Sequence, residues 1–251
     1  MKLKLQESDI EYILARYYSN RKDIWRILLP YLDHKEGGIF LNLGCGSSTA
    51  HSFLVKGFEF GVNVDKEKYV VRRAKESARN IICQDFVVGI GESLPFTSDV
   101  FSRTLLTNVL EHLVSPSQVL KEVSRTLKCN AEVLIVTTSL SNPAVMLDKL
   151  LMGLFDKLKI VFPYRYYRAN SIRVLVKQLK EASLIPIFID FAGGVGPYAR
   201  FFPRPLAFFL LFTWIKIDQI LGSLPFKKMK MMIVLVARRI NSVTKDIKSQ
   251  L

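Results

Sequence analysis

Gly44-Cys45-Gly46 and, about twenty residues later, Asp65 are the residues whose types and spacing could hold a nucleoside-bearing ligand. Glycine in a strand-to-helix turn lets a ligand approach the backbone, because no Cβ stands in the way. An acid at the end of the following strand can accept hydrogen bonds from both hydroxyls of a ribose. The pair suits nicotinamide cofactors and S-adenosylmethionine alike, but the full GxGxxG pattern is absent because Thr49 occupies its third position. A further cluster, Pro163-Tyr164-Arg165-Tyr166-Tyr167-Arg168, interleaves aromatic rings with guanidinium groups. Arginine there could clamp a phosphate or carboxylate in a fork of two hydrogen bonds, and tyrosine could stack on a ring.

These residues need a sheet to position them. Ile39-Phe40-Leu41-Asn42-Leu43 is a short apolar run bounded by glycines, which predicts a buried strand. Further strands are expected at 58–64, ending at Asp65, at 81–83, ending near Asp85, at 103–107 and at 132–138. Amphipathic stretches at 50–56, 67–78 and 116–127 separate them as helices. Strands alternating with helices at this spacing imply right-handed βαβ units and a parallel sheet. Ser8 and Glu11 have capping-box spacing before a helical pattern, and a second amphipathic stretch runs through Ile24, Ile27, Leu28 and Leu32 with Pro30 inside it. Later segments predict helices at 145–161 and 171–182 and strands at 184–191 and 229–237. The expected fold is α/β: a Rossmann-like, doubly wound, mostly parallel seven-stranded sheet with a C-terminal antiparallel strand and N-terminal helices. Residues 1–36 read as an N-terminal helical arm and 37–251 as one domain, elaborated at about 143–230.

The 251 residues, 49% hydrophobic and 23% charged, are enough to bury a core without a metal or disulfide staple. Cys45, Cys83 and Cys129 are odd in number and show no CxxC spacing, which argues against a disulfide framework and a zinc site. The net charge of +14 is unevenly spread. Residues 1–148 balance to +1 and residues 149–251 to +13, so the second part favours an anionic partner: nucleic acid, a phosphorylated substrate or an anionic lipid surface. No secretory signal opens the sequence, and the longest apolar run, 206–215, is too short to span a bilayer, so a cytoplasmic protein is expected. The apolar segment 201–226 carries Trp214 and is rimmed by Arg200, Arg204, Lys216, Lys227, Lys228 and Lys230. It reads either as an interfacial membrane contact or as a buried helix.

The sequence resembles the class I S-adenosylmethionine-dependent methyltransferases, in their small-molecule branch, over roughly residues 38–192 and more loosely at the end. Residues 39–46 resemble the family's first motif, and Glu92-Ser93-Leu94-Pro95-Phe96 its loop before strand four. Asn108-Val109-Leu110-Glu111-His112 resembles its signature after strand four, and Ser124-Arg125-Thr126-Leu127-Lys128 followed by 133–138 its lead into strand five. The departures are Asn42 where the family usually has Asp, Ser48 where a further Gly is common, Phe101-Ser102 for Phe-Asp and Cys129-Asn130-Ala131 for Pro-Gly-Gly. Asn42 can hydrogen-bond but cannot counter a cation.

The resemblance implies S-adenosylmethionine as cofactor, no metal, and a cofactor set of Asn42, Gly44, Cys45, Gly46, Asp65, Asn108 and an adenine-contacting acid. Asp85 or Glu92 is expected to be that acid. His112 is expected as the catalytic residue: methyl transfer depends on positioning, and if the acceptor is a hydroxyl it needs a base, for which imidazole is suited near neutral pH; the alternative is that His112 only packs or hydrogen-bonds at the start of the next helix. Three functional readings stay open. One is methyl transfer to a small molecule, phosphorylated or lipid-linked. The second is methylation of RNA, with the basic part on phosphates. The third is a non-catalytic methyltransferase fold recruited to a membrane.

Overall fold

A strand that is apolar along its whole length needs cover on both faces. The computed structural model describes residues 22–32, 37–46, 57–78, 83–142, 145–146, 170–192 and 230–240. Among them, β1 (Ile39–Leu43), β2 (Phe60–Asp65), β3 (Gln84–Val88), β4 (Phe101–Thr107), β5 (Leu127–Thr138), β6 (Leu184–Ala192) and β7 (Met232–Arg239) form one sheet in the order β3-β2-β1-β4-β5-β7-β6. The pairings β1–β2, β1–β4, β2–β3 and β4–β5 are parallel. β7 runs antiparallel to both neighbours, inserted between β5 and β6. This is the expected doubly wound, mostly parallel sheet with its reversed C-terminal strand.

Alternation along the strands explains the two faces. Leu41, Leu43, Leu106, Val133, Ile135, Ile233 and Leu235 share one core with α3 (Pro116–Thr126) and α4 (Ile172–Glu181). Phe40, Leu105, Leu134, Val136, Val234 and Val236 share the other with α1 (Lys22–Leu32). Successive residues thus go to opposite sides, as the pleat requires. α1 seats Ile24, Leu28 and Leu32, one turn apart, against β5 and β7. Its helix continues past Pro30 to Leu32. α2 (Lys68–Ser77) buries only Val71 and Ala74 and packs on β2 and β3. α3 buries Val119, Leu120 and Val123, and α4 buries Leu175 and Leu179.

Three expectations need correction. The third strand described is Gln84–Val88, and Cys83, expected inside a strand, is an exposed residue in the left-handed region just before it; residues 81 and 82 lie outside the described residues. β5 begins at Leu127, directly after α3, rather than at 132. β2 begins at Phe60. The helices expected in residues 1–20, at 50–56 and over most of 145–161, the loop 47–49, the cluster 163–168 and the apolar segment 201–226 lie outside the described residues.

Candidate functional site

The sheet order reverses between β1 and β4, and in an open α/β sheet a ligand crevice forms outside the carboxyl ends of the strands at that point. Two chain segments border it: Gly44-Cys45-Gly46 after β1, and Asn108 to His112 after β4. They touch. A Cβ added at Gly44 would lie 2.3 Å from Val109 Cγ2, and Gly44 has φ +70°. Glycine at 44 is thus required first by the packing of one loop on the other, and not by a ligand alone. Gly44 N–H and Cys45 N–H both donate to Val64 O, at 2.8 and 2.9 Å, which ties this turn to the end of β2.

Asp65 ends β2, where the sequence put it. Its Oδ2 accepts from Gly46 N–H at 3.0 Å and its Oδ1 from Glu67 N–H at 3.1 Å. The second bond is an Asx-type turn; Glu67, not Asp65, is the N-cap of α2. A carboxylate has about four lone-pair sites, so each oxygen keeps capacity for a hydroxyl donor. The Gly46 bond fixes the carboxylate beside the left-handed turn.

The Cys45 thiol is buried under this turn. Burial, with the nearby Asp65 charge, pushes its pKa up to about 12. It stays a neutral thiol at physiological pH and offers no thiolate for nucleophilic attack or metal binding. The contribution of Cys45 to the turn is its backbone. In a thiol titration of the folded protein, exposed Cys83 and Cys129 are expected to react with Ellman's reagent, and buried Cys45 only after unfolding. A rapid third equivalent would contradict this burial.

Asp85 and Glu92 part company with the site to different degrees. Asp85 stands at the amino end of β3, level with Val62, and is exposed; its Oδ1 accepts from the adjacent Phe86 N–H at 2.8 Å. With the strand shifted, the expected carboxyl-end position for Asp85 is wrong: about 3.3 Å per residue separates it from Val88 and the crevice side. At that carboxyl end stand Val88, Gly89 and Ile90, and the Ile90 side chain is exposed. Glu92 lies at the tip of a tight turn closed by the Ile90–Ser93 bridge, and is half-buried. Gly91 brings this turn over the sheet: a Cβ there would meet Val119 at 3.2 Å and Leu43 at 3.6 Å. Glu92 is therefore the carboxylate of the two that lies in the loop nearest the β1 end.

The loop is clamped from α3. Glu122 Oε2 accepts from Leu94 N–H at 2.9 Å, and Arg125 donates to Phe96 O at 2.8 Å and Leu94 O at 3.2 Å. The two side chains also pair with each other at 2.8 Å. The hydrogen bonds that Arg125 donates to Glu122 hold the carboxyl below its ordinary value and the guanidinium above its own. The spacing of three marks a helical ion pair in the sequence; its capture of a loop 28 residues away does not show there.

After β4 the chain turns at Asn108, which takes φ +55° and whose N–H donates to Val136 O at 2.8 Å. Asparagine is one of the few non-glycine residues common in this conformation. A single 3₁₀ turn, Leu110–His112, follows. Here sequence neighbours are separated. Glu111 is 1% exposed and accepts from Thr137 Oγ1 at 2.7 Å and Thr138 Oγ1 at 3.0 Å. Thr137 Oγ1 in turn accepts from Asn170 Nδ2 at 2.8 Å. His112, by contrast, is exposed at the rim. Glu111 thus anchors the turn to the end of β5 and leaves His112 outside. Thr137, Thr138 and Asn170 escaped the sequence reading because their partners are far along the chain.

Among the described residues, no group of three or more His, Cys, Asp or Glu side chains could hold a metal ion, and no helix is long and apolar enough to cross a membrane.

Residues 41–135 match the family model described as a methyltransferase domain. The fold is similar to a chain of the Haloferax volcanii complex between the Trm112 methyltransferase activator and a methyltransferase, with TM-score 0.65 and 17% identity over 94% of this chain and 95% of that one. It is similar to the YcgJ protein of Bacillus subtilis, with TM-score 0.63 and 16% identity over 87% and 99%. It is similar also to geranyl diphosphate C-methyltransferase from Streptomyces coelicolor, with TM-score 0.60 and 13% identity over 94% and 84%. A curated relative, an uncharacterised 37.1 kDa protein in a Streptomyces fradiae transposon, is 27% identical over 105 residues. That match spans 41% of this chain and 30% of the relative's length.

Proposed function

We propose that this chain, whose residues 41–135 match a methyltransferase domain, is a class I S-adenosylmethionine-dependent methyltransferase that methylates a small, anionic or lipid-linked acceptor. The observation that carries the cofactor assignment is the Asp65 carboxylate, fixed by Gly46 N–H at 3.0 Å beside two left-handed glycines at the switch point of the sheet. Such a cradle fits a nucleoside: Asp65 would accept the ribose hydroxyls, and the backbone of Gly44, Cys45 and Gly46 would lie against the amino-acid part together with Asn42 and Asn108. The adenine would lie along the 89–92 turn, with Glu92 as its nearest acid. Bound S-adenosylmethionine supplies an electrophilic methyl group. His112, exposed on the rim after β4, would take the acceptor's proton.

Two features support the acceptor class. The +13 balance of residues 149–251 favours a phosphorylated or lipid-bound partner, and docking at an anionic membrane surface is the proposed way to reach it. One structurally similar enzyme methylates geranyl diphosphate, itself an anionic isoprenoid.

Calorimetric titration with S-adenosylhomocysteine tests the site. Binding is expected, and Asp65→Ala is expected to weaken it by about 1.5–3 kcal/mol, the value of a hydrogen bond to a charged group. Equal affinity in parent and variant would remove Asp65 from the site. For the acceptor, radiolabelled S-adenosylmethionine is offered with prenyl phosphates and with total RNA. Label in the organic extract is expected; label in RNA would transfer the reaction to a nucleic-acid substrate.

A further inference from the structure

Asn42 of β1 and Asn63 of β2 are register partners, and both are buried, at 6% and 3% exposure. Asn42 Nδ2 donates to Asn63 Oδ1 at 3.0 Å. Asn63 Nδ2 donates onward to Gln84 Oε1 at 3.1 Å and to the backbone carbonyl of Asp85 at 3.3 Å. A backbone carbonyl can only accept, so Asn63 must turn its amide nitrogen toward β3 and its oxygen toward β1. Holding that direction leaves Gln84 Nε2 buried without a partner among the described residues, a cost the arrangement carries. The three amides therefore have a polarity set from the β3 side, and position 42 must supply a donor.

We infer that this amide chain demands a neutral hydrogen-bond donor at the end of β1, so that the crevice meets its ligand there with an amide and does not select for positive charge. The functional half rests on the cofactor reading above. A carboxylate at 42 would face Asn63 Oδ1 with no proton to give, at a position only 6% exposed, where an unpaired charge is disfavoured. Asn42 is thus a fitted member of a hydrogen-bond chain rather than a weakened acid. S-adenosylmethionine carries a sulfonium charge that S-adenosylhomocysteine lacks. With no carboxylate at 42, the two ligands are bound with similar affinity.

The test has two arms. Thermal melting of the parent, Asn42→Asp and Asn42→Leu is followed from pH 4 to pH 8. In Asn42→Asp the folded-state pKa of the new carboxyl is raised above its unfolded value by burial and by the facing oxygen. Its protonated form can donate to Asn63 Oδ1, so stability is retained at acid pH and lost as pH rises through the folded pKa. Asn42→Leu is destabilised without that pH dependence. The titratable and charged groups around position 42 are Asp65 of β2, Asp85 of β3, Arg103 of β4, the Cys45 thiol, Glu92 in the turn near the β1 end, and Glu111 and His112 in the turn after β4; all are common to parent and variants. An Asn42→Asp variant as stable as the parent at neutral pH overturns the inference. In the second arm, the parent is titrated with both ligands; affinities within about threefold are expected, whereas a preference of about tenfold or more for S-adenosylmethionine overturns the charge argument. Should neither ligand bind, the cofactor reading fails, while the melting arm still decides the amide chain.

Discussion

Replacing Glu132 by alanine is expected to lower the free energy of unfolding by about 3–5 kcal/mol. Glu132 pairs in register with Arg103 on β4 and Arg238 on β7. Its Oε2 accepts from Arg103 Nη1 at 2.7 Å and its Oε1 from Arg238 at 2.7 Å. Arg103 is 9% exposed, and its guanidinium also donates to Tyr31 O at the end of α1. Burial pulls the Arg103 pKa down, partly offset by the Glu132 charge. Removing the carboxylate leaves a buried cation uncompensated, which is the costly half of breaking such a pair. Arg238 is half exposed, so Arg238→Ala is expected to cost only about 0.2–1 kcal/mol. Urea unfolding of the two variants checks the contrast. Equal small losses would show that water screens the whole cluster.

Changing His112 to alanine is expected to lower turnover by about 10²–10⁴-fold while S-adenosylhomocysteine affinity stays at the parent value. The geometry separates the two readouts. His112 is exposed on the 3₁₀ turn, whereas the cradle at Gly46 and Asp65 is built from β1 and β2. The turn is held by Glu111 on Thr137 and Thr138, so truncating the imidazole leaves the anchor intact. Single-turnover rates with saturating S-adenosylmethionine give the first quantity and calorimetry the second. An unchanged rate would reduce His112 to a surface residue and favour an acceptor that needs no proton removed.

The central strands were legible because they are buried on both faces. Residues 39–43 and 133–138 are near-continuous apolar runs, and such runs mark interior parallel strands. β3 was misplaced because it is an edge. No residue of its QDFVV sequence is fully buried, and the run just before it, Ile81-Ile82-Cys83, is the more apolar. That shift of a few residues moved Asp85 to the wrong end of the strand. Local chemistry was legible where it is local: Gly44, Gly46 and Asp65 stand where their spacing put them. Contacts between distant residues left no signal. Nothing near Glu111 announces Thr137 and Thr138, and Asn42 read as a lone substitution because its meaning lies in Asn63 and Gln84.

The reversed strand β7 also sets an order of events during synthesis. Among the described residues, β6 has β7 as its sole neighbour in the sheet, yet β7 is made about forty residues later, roughly 2–8 s at the usual ~5–20 residues per second. Until then β6 has no ladder to join, and the free edge of β5 presents Leu134, Ile135 and Val136 with open N–H and C=O groups. An unpaired apolar edge is a template for pairing with another chain. The nascent protein is therefore most exposed to aggregation in that interval, and slowing translation between residues 192 and 232 would lengthen it.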